Sequence, residues 1–104
     1  MAQFDVYPNP VKSLRPTHPW VVEIQSKLLL RPIALIGIPL ARLEAGSTAV
    51  PTLNPLLEID GEVCVLETLA IGSFGPGELR GRIASVPEHA IAIWDAVEYA
   101  LHGY

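Results

Sequence analysis

The chain has 104 residues and a formal net charge of −4; 50% of its residues are hydrophobic and 17% charged. That length suits one core and a single domain, residues 1–104, and an acidic balance with scattered basic residues excludes the electrostatic footprint of a direct nucleic-acid binder. The charged fraction lies below the roughly 25% of an ordinary soluble domain, so either the core is unusually complete or apolar surface is left for a partner, an oligomer first of all.

Gln3-Phe4-Asp5-Val6-Tyr7 alternates polar and apolar residues. This predicts a strand with Phe4 and Val6 toward a core and Gln3, Asp5 and Tyr7 on the other face. Asn9 and Pro10 end it, and Pro8, Pro10, Pro16 and Pro19 mark a surface loop that cannot continue a ladder. Trp20 to Gln25 resumes alternation, with Trp20, Val22 and Ile24 inward and Val21, Glu23 and Gln25 outward. Ile33 to Ile38 is apolar throughout, as in a strand covered on both faces, and Pro39 marks an edge or an end. Leu56 to Ile59 and Glu62 to Glu67 flank Asp60-Gly61, a two-residue hairpin turn that requires positive φ at both positions.

Gly72 to Gly77 reads as turn material before a short last strand, Leu79 to Ala84. Ser85-Val86-Pro87-Glu88 has the form of a capping box, with Pro87 tolerated in the first turn of the helix that follows. On that helix Ala90, Ile93, Trp94, Val97 and Leu101 share one face, Asp95, Glu98, Tyr99 and His102 the other, and Gly103 stops it. Five or six short strands followed by one C-terminal helix define a β-rich α+β domain, with a small, strongly bent, barrel-like sheet carrying the helix.

Chemistry-bearing groups are sparse. Cys64, alone in an apolar run, reads as a buried small hydrophobe; with His18, His89 and His102 far apart, no metal-ligand spacing exists and no cofactor is implied. Ser85 serves as a cap rather than a nucleophile, and His18, His89, Asp95 and Glu98 read as solvated surface groups, so no enzyme is expected. His102 lies one helical turn after Glu98, where it caps the helix end or presents itself to a partner; Gly103 and the terminal aromatic Tyr104 after it make a compact probe. The chain opens without a basic segment and apolar stretch, and its longest apolar run, Ile33 to Leu40, is too short to span a bilayer. A soluble, cytoplasmic protein with no membrane association is expected.

Several stretches resemble the CcdB toxins of type II toxin–antitoxin systems. Gln3-Phe4-Asp5-Val6-Tyr7 looks like the family's N-terminal strand, Val22-Glu23-Ile24-Gln25-Ser26 its second strand with a Gln-Ser pair, and Ile38-Pro39-Leu40-Ala41 its Ile-Pro-Leu-Ala segment. The hairpin, the helix and the penultimate Gly103 follow in order, so the resemblance spans nearly the whole chain.

The resemblance implies an SH3-like barrel of five to seven mostly antiparallel strands with one C-terminal helix, as in the Kid and MazF toxins. It also implies a non-enzymatic homodimer, a DNA gyrase and hence topoisomerase inhibitor that binds the A subunit of DNA gyrase and traps the cleaved-DNA complex. A cognate CcdA-like antitoxin and a role in plasmid maintenance come with it. Carried over by position, gyrase binding falls to His102, Gly103, Tyr104 and Glu98, with Gln3, Tyr7 and Ser26 near the N-terminus, and Phe4 in the core. Where the family tail reads Trp-Gly-Ile with an Asn on the helix, this chain has His102-Gly103-Tyr104 and Glu98. The alternatives are an endoribonuclease of the MazF and Kid kind, which needs a basic groove and an acid/base pair, and a non-toxic dimer that only binds an antitoxin.

Overall fold

A computed structural model describes residues 3–26, 28, 34–46, 48 and 50–103. Among them seven strands form one curled antiparallel sheet, a half-barrel: β1 Asp5–Pro8, β2 Trp20–Glu23, β3 Leu35–Arg42, β4 Leu56–Ile59, β5 Glu62–Leu66, β6 Gly72–Phe74 and β7 Ala84–Ser85. The strand order is β4-β5-β3-β2-β1-β7, with β6 also on β3. One helix, α1 Ala90–His102, closes the described chain. The SH3-like barrel with a C-terminal helix is the fold observed.

The sheet curls because β3 changes neighbours along its length. Leu35 to Gly37 pair with β6 and Leu40 to Arg42 with β5, while β2 runs along the opposite side. Pro39 sits inside this central strand, not at an edge or an end. Its carbonyl accepts from Glu67 N–H at 3.0 Å, on the β5 side, so the position that lacks an N–H falls in the gap between β6 and β5, where no ladder bond is lost. The start of the expected strand, Ile33, lies outside the described residues.

Both faces of the ladder are covered, which corrects the half-buried reading of β1 and β2. One face carries the main core of Phe4, Val6, Val22, Ile24, Ile38, Leu40, Leu57, Ile59, Cys64, Leu66 and Val86, against which α1 lays Ile93 and Ala96. On the other face Tyr7, Val21 and Leu35 pack with Leu79 and Phe74. Asp5, Tyr7, Val21, Glu23 and Gln25, expected outward, are therefore buried. Period-two alternation identifies the two faces but not whether the chain returns to cover the second. Residues 75–83 do return, so Leu79 is a buried plug rather than part of a strand, and the last strand shortens to Ala84–Ser85. Gly72 to Phe74, read as turn material, supply β6.

Local geometry bears out the hairpin: Asp60 and Gly61 have φ of 52° and 84°, and Ile59 pairs with Glu62 across the turn. The capping box does not form. Ser85 is extended and pairs with Asp5 in β1, so its hydroxyl caps nothing; a 3-10 turn, Pro87–His89, intervenes before α1. Pro87 stands at the start of that turn, where its missing N–H costs nothing. Cys64 is fully buried, and burial pushes its thiol up to about 11, so it stays an inert packing group.

Ile93 is the large side chain of α1 that is wholly buried. Ile93→Ala is expected to lower the unfolding free energy by about 2–5 kcal/mol through lost transfer energy and the cavity left behind. Ile91→Ala, at a side chain 78% exposed, should change it by less than about 0.5 kcal/mol. Urea unfolding followed by circular dichroism separates the two.

Candidate functional site: the C-terminal helix and its tail

The core-facing side of α1 is narrow and mostly small. Ile93 and Ala96 are buried, with Ala90, Ala92 and Val97 packed beside them. Trp94 and Leu101, assigned to this side from spacing, are instead 39% and 74% exposed. A helix lying on a small curled sheet buries a stripe that the sheet can reach, and residues off that stripe stay in solvent. The exposed residues of α1 thus mix apolar Ile91, Leu101 and the part-covered Trp94 with acidic Asp95 and Glu98. α1 also touches the 3-10 turn Thr68–Ala70, which exposes Leu69 and leads to exposed Ile71. This is the spare apolar surface that the low charged fraction anticipates, and Ile91 and Leu69 are members that periodicity did not single out.

At the end of the helix the expected residues do come together. His102 Nε2 lies 3.4 Å from Glu98 Oε2, one turn back, with both side chains more than half exposed. Gly103 takes φ 81° and donates its N–H to Tyr99 O at 2.8 Å, satisfying a carbonyl the helix would otherwise leave open. A left-handed residue here turns the chain off the helix axis, which glycine does without a Cβ clash. Tyr104 lies outside the described residues.

The N-terminal candidates occupy other ground. Gln3 Nε2 donates to Ile24 O at 3.3 Å, and Ser26, exposed, accepts from Leu28 N–H at 3.1 Å through its Oγ. Both therefore flank the end of β2. Tyr7 is only 3% exposed and packs on the second face of the sheet. Its hydroxyl donates to Asp5 Oδ2 at 3.5 Å, and Arg82 Nη1 stands 3.7 Å from Asp5 Oδ1. Burial, reinforced by Glu23 and Asp5, pushes the phenol up to about 12, so Tyr7 stays a neutral donor at any physiological pH.

Glu23 shares this buried polar layer. Burial raises its carboxyl above the ordinary range, with Asp5 adding to the rise; Oε1 has no hydrogen-bond partner among the described residues. His18 sits against Thr17, its Nδ1 2.8 Å from Oγ1, and His89 reaches toward Glu58 O at 3.4 Å; neither joins a catalytic constellation. Among the described residues no group of three or more His, Cys, Asp or Glu is placed to hold a metal ion, and no helix is long and apolar enough to cross a membrane.

Comparison with protein families matches residues 3–103 to the CcdB protein. The chain belongs to the CcdB family. That places it among the toxins of toxin–antitoxin systems, and the match takes in the curled sheet, α1 and Gly103. A search of curated proteins found no match.

A raised carboxyl pKa means that the folded chain binds the Glu23 proton more tightly than the unfolded one. The favourable contribution is full below the unfolded value near 4.5 and is lost as pH rises through the raised folded value. Glu23→Gln, which keeps the shape and removes the charge, should therefore raise Tm at pH 7 and leave it nearly unchanged at pH 4. Melting curves between these pH values check the sign; an equal shift at both would contradict it.

Proposed function

We propose that the protein is the toxin of a type II module that binds the A subunit of DNA gyrase in the cytoplasm as a homodimer and traps the cleaved-DNA complex, until a CcdA-like antitoxin removes it. The observation that carries this reading is the family match over residues 3–103, which includes the glycine that ends α1. The mechanism follows from shape rather than bond chemistry. A helix anchored by Ile93 and Ala96 delivers His102 and Gly103 at its end, with Tyr104 following, and a partner pocket takes the tail. Glu98 lies 3.4 Å from the His102 ring and favours one arrangement of it by a small, solvent-screened contact.

Exposed Leu69, Ile71 and Leu101 are apolar groups available to a second copy, which a self-complementary dimer contact needs. Gln3 and Ser26 form a further polar contact region at the end of β2, and Tyr7 acts from beneath by holding β1 in place. Scattered basic charge gives no groove for an RNA strand, and on this reading the protein works by binding and not by catalysis.

Deleting Gly103 and Tyr104 should abolish growth inhibition on induction. The same truncation should no longer retain the purified A subunit of gyrase at micromolar concentration, while its Tm stays within a few degrees of the full chain. A truncation that remains fully toxic rejects the tail as the binding element. Rapid mRNA cleavage without DNA-damage signalling would assign the protein to the endoribonucleases instead, and absence of gyrase retention by the full chain would leave an antitoxin-binding dimer.

A further inference from the structure

Three elements meet at Phe4. Its N–H donates to Glu23 O at 2.6 Å, its carbonyl accepts from Val86 N–H at 2.8 Å just ahead of the helix, and its ring meets Trp94 of α1 edge to face, with centroids 5.5 Å apart and planes at 65°. The Phe4 backbone is held at φ 70°, a left-handed conformation that a bulky residue keeps only where its surroundings enforce it. Phe4 itself is buried, whereas Trp94 is 39% exposed and lies outside the buried core cluster. Trp94 is thus a large side chain at the margin of the core, with its ring against the buried Phe4.

We propose that Phe4 and Trp94 form a positioning pair that sets the angle at which α1 crosses the sheet and so aims the tail. The need for one follows from the underside of the helix. Ala90, Ala92 and Ala96 are short, so few ridges engage the sheet, and crossing angles are set by interlocking ridges. Ile93 fixes the depth of α1, and the aromatic contact, on a different side of the helix, limits its rocking. With a rise of 1.5 Å per residue, Trp94 to His102 is a lever about 12 Å long, and a tilt of about 10° displaces His102 by about 2 Å. Binding sites lose function when held about 1 Å too loosely. Phe4 thus couples β1, β2 and the lead-in to α1 with the direction of the tail, and its strained backbone is the cost of holding the ring under Trp94.

The consequence at the target rests on the tail reading above; the geometric claim does not. Spin labels at Glu44→Cys and Ala100→Cys, both exposed positions, report the orientation of α1 against the sheet, and buried Cys64 stays unlabelled. Pulsed electron paramagnetic resonance on labelled protein diluted into unlabelled protein gives the intramolecular distance distribution. Trp94→Ala should at least double its width and weaken retention of the gyrase A subunit by tenfold or more, with the helical circular dichroism preserved; Trp94→Phe, which keeps an edge-to-face partner, should restore both. Phe4→Leu should broaden the distribution in the same way, and the half-exposed Trp94 variants decide the matter if Phe4→Leu does not fold. A Trp94→Ala distribution identical to the parent's overturns the proposal. A distribution that broadens while even the parent chain ignores gyrase supports the positioning pair and rejects the target.

Discussion

The β1–β2–β3 ladder is buried on both faces, and the rest of the molecule is arranged to satisfy it. Val6, Val22 and Ile38 form a row in the core that α1 covers, while on the opposite face Tyr7, Val21 and Leu35 cluster with Leu79 and Phe74. A sheet of short strands with both faces apolar needs cover on each side, so the chain supplies a helix to one and the 75–83 segment to the other. The polar residues caught in between must then find partners. Gln25 does so, accepting from Ile36 N–H, and Tyr7 donates to Asp5, but Glu23 is left incompletely matched and tied to pH.

The loops follow the same rule of satisfied backbone. Asn9, buried at the end of β1, accepts from Val11 N–H and donates to His18 O, while Arg15 Nε donates to Asn9 O, so the proline-rich connection is pinned at its base. Arg42, at the end of β3, ties Pro16 O to Glu62 on the β4–β5 hairpin. Both arrangements hold the sheet's curl in place without adding to its core. α1 and its end carry exposed Ile91, Trp94 and Leu101 beside Glu98 and His102.

The proposed binding element is the helix end, and the side chains there differ from the family's tail. His102 is smaller and more polar than a tryptophan, so under the proposed function contact area lost at that position would be supplied by Tyr104 or by the exposed apolar residues of α1. With weaker anchors, precise aim matters more, since affinity then depends on several modest contacts being made at once. The strained Phe4 and its Trp94 partner are the feature of the fold best placed to provide that precision.

Local signals and long-range decisions separate cleanly in this chain. The Asp60-Gly61 turn is legible in the residues alone, because two adjacent positive φ angles need that pair. So are Gly103 as the helix stop, Cys64 as core, and a β-rich sheet with one terminal helix. Each depends on neighbours in the chain or on hydrophobicity. The burial of Val21 and Glu23 is of another kind, since it requires residues 75–83 to fold back over them. Packing also placed Pro39 at mid-strand, because β3 changes partners there, and turned Ser85 from a cap into a strand residue, because β1 claims its backbone first. The exposure of Trp94 and Leu101 belongs with these: a helical period names the residues that share a side, and the width of the sheet beneath decides how many of them it covers.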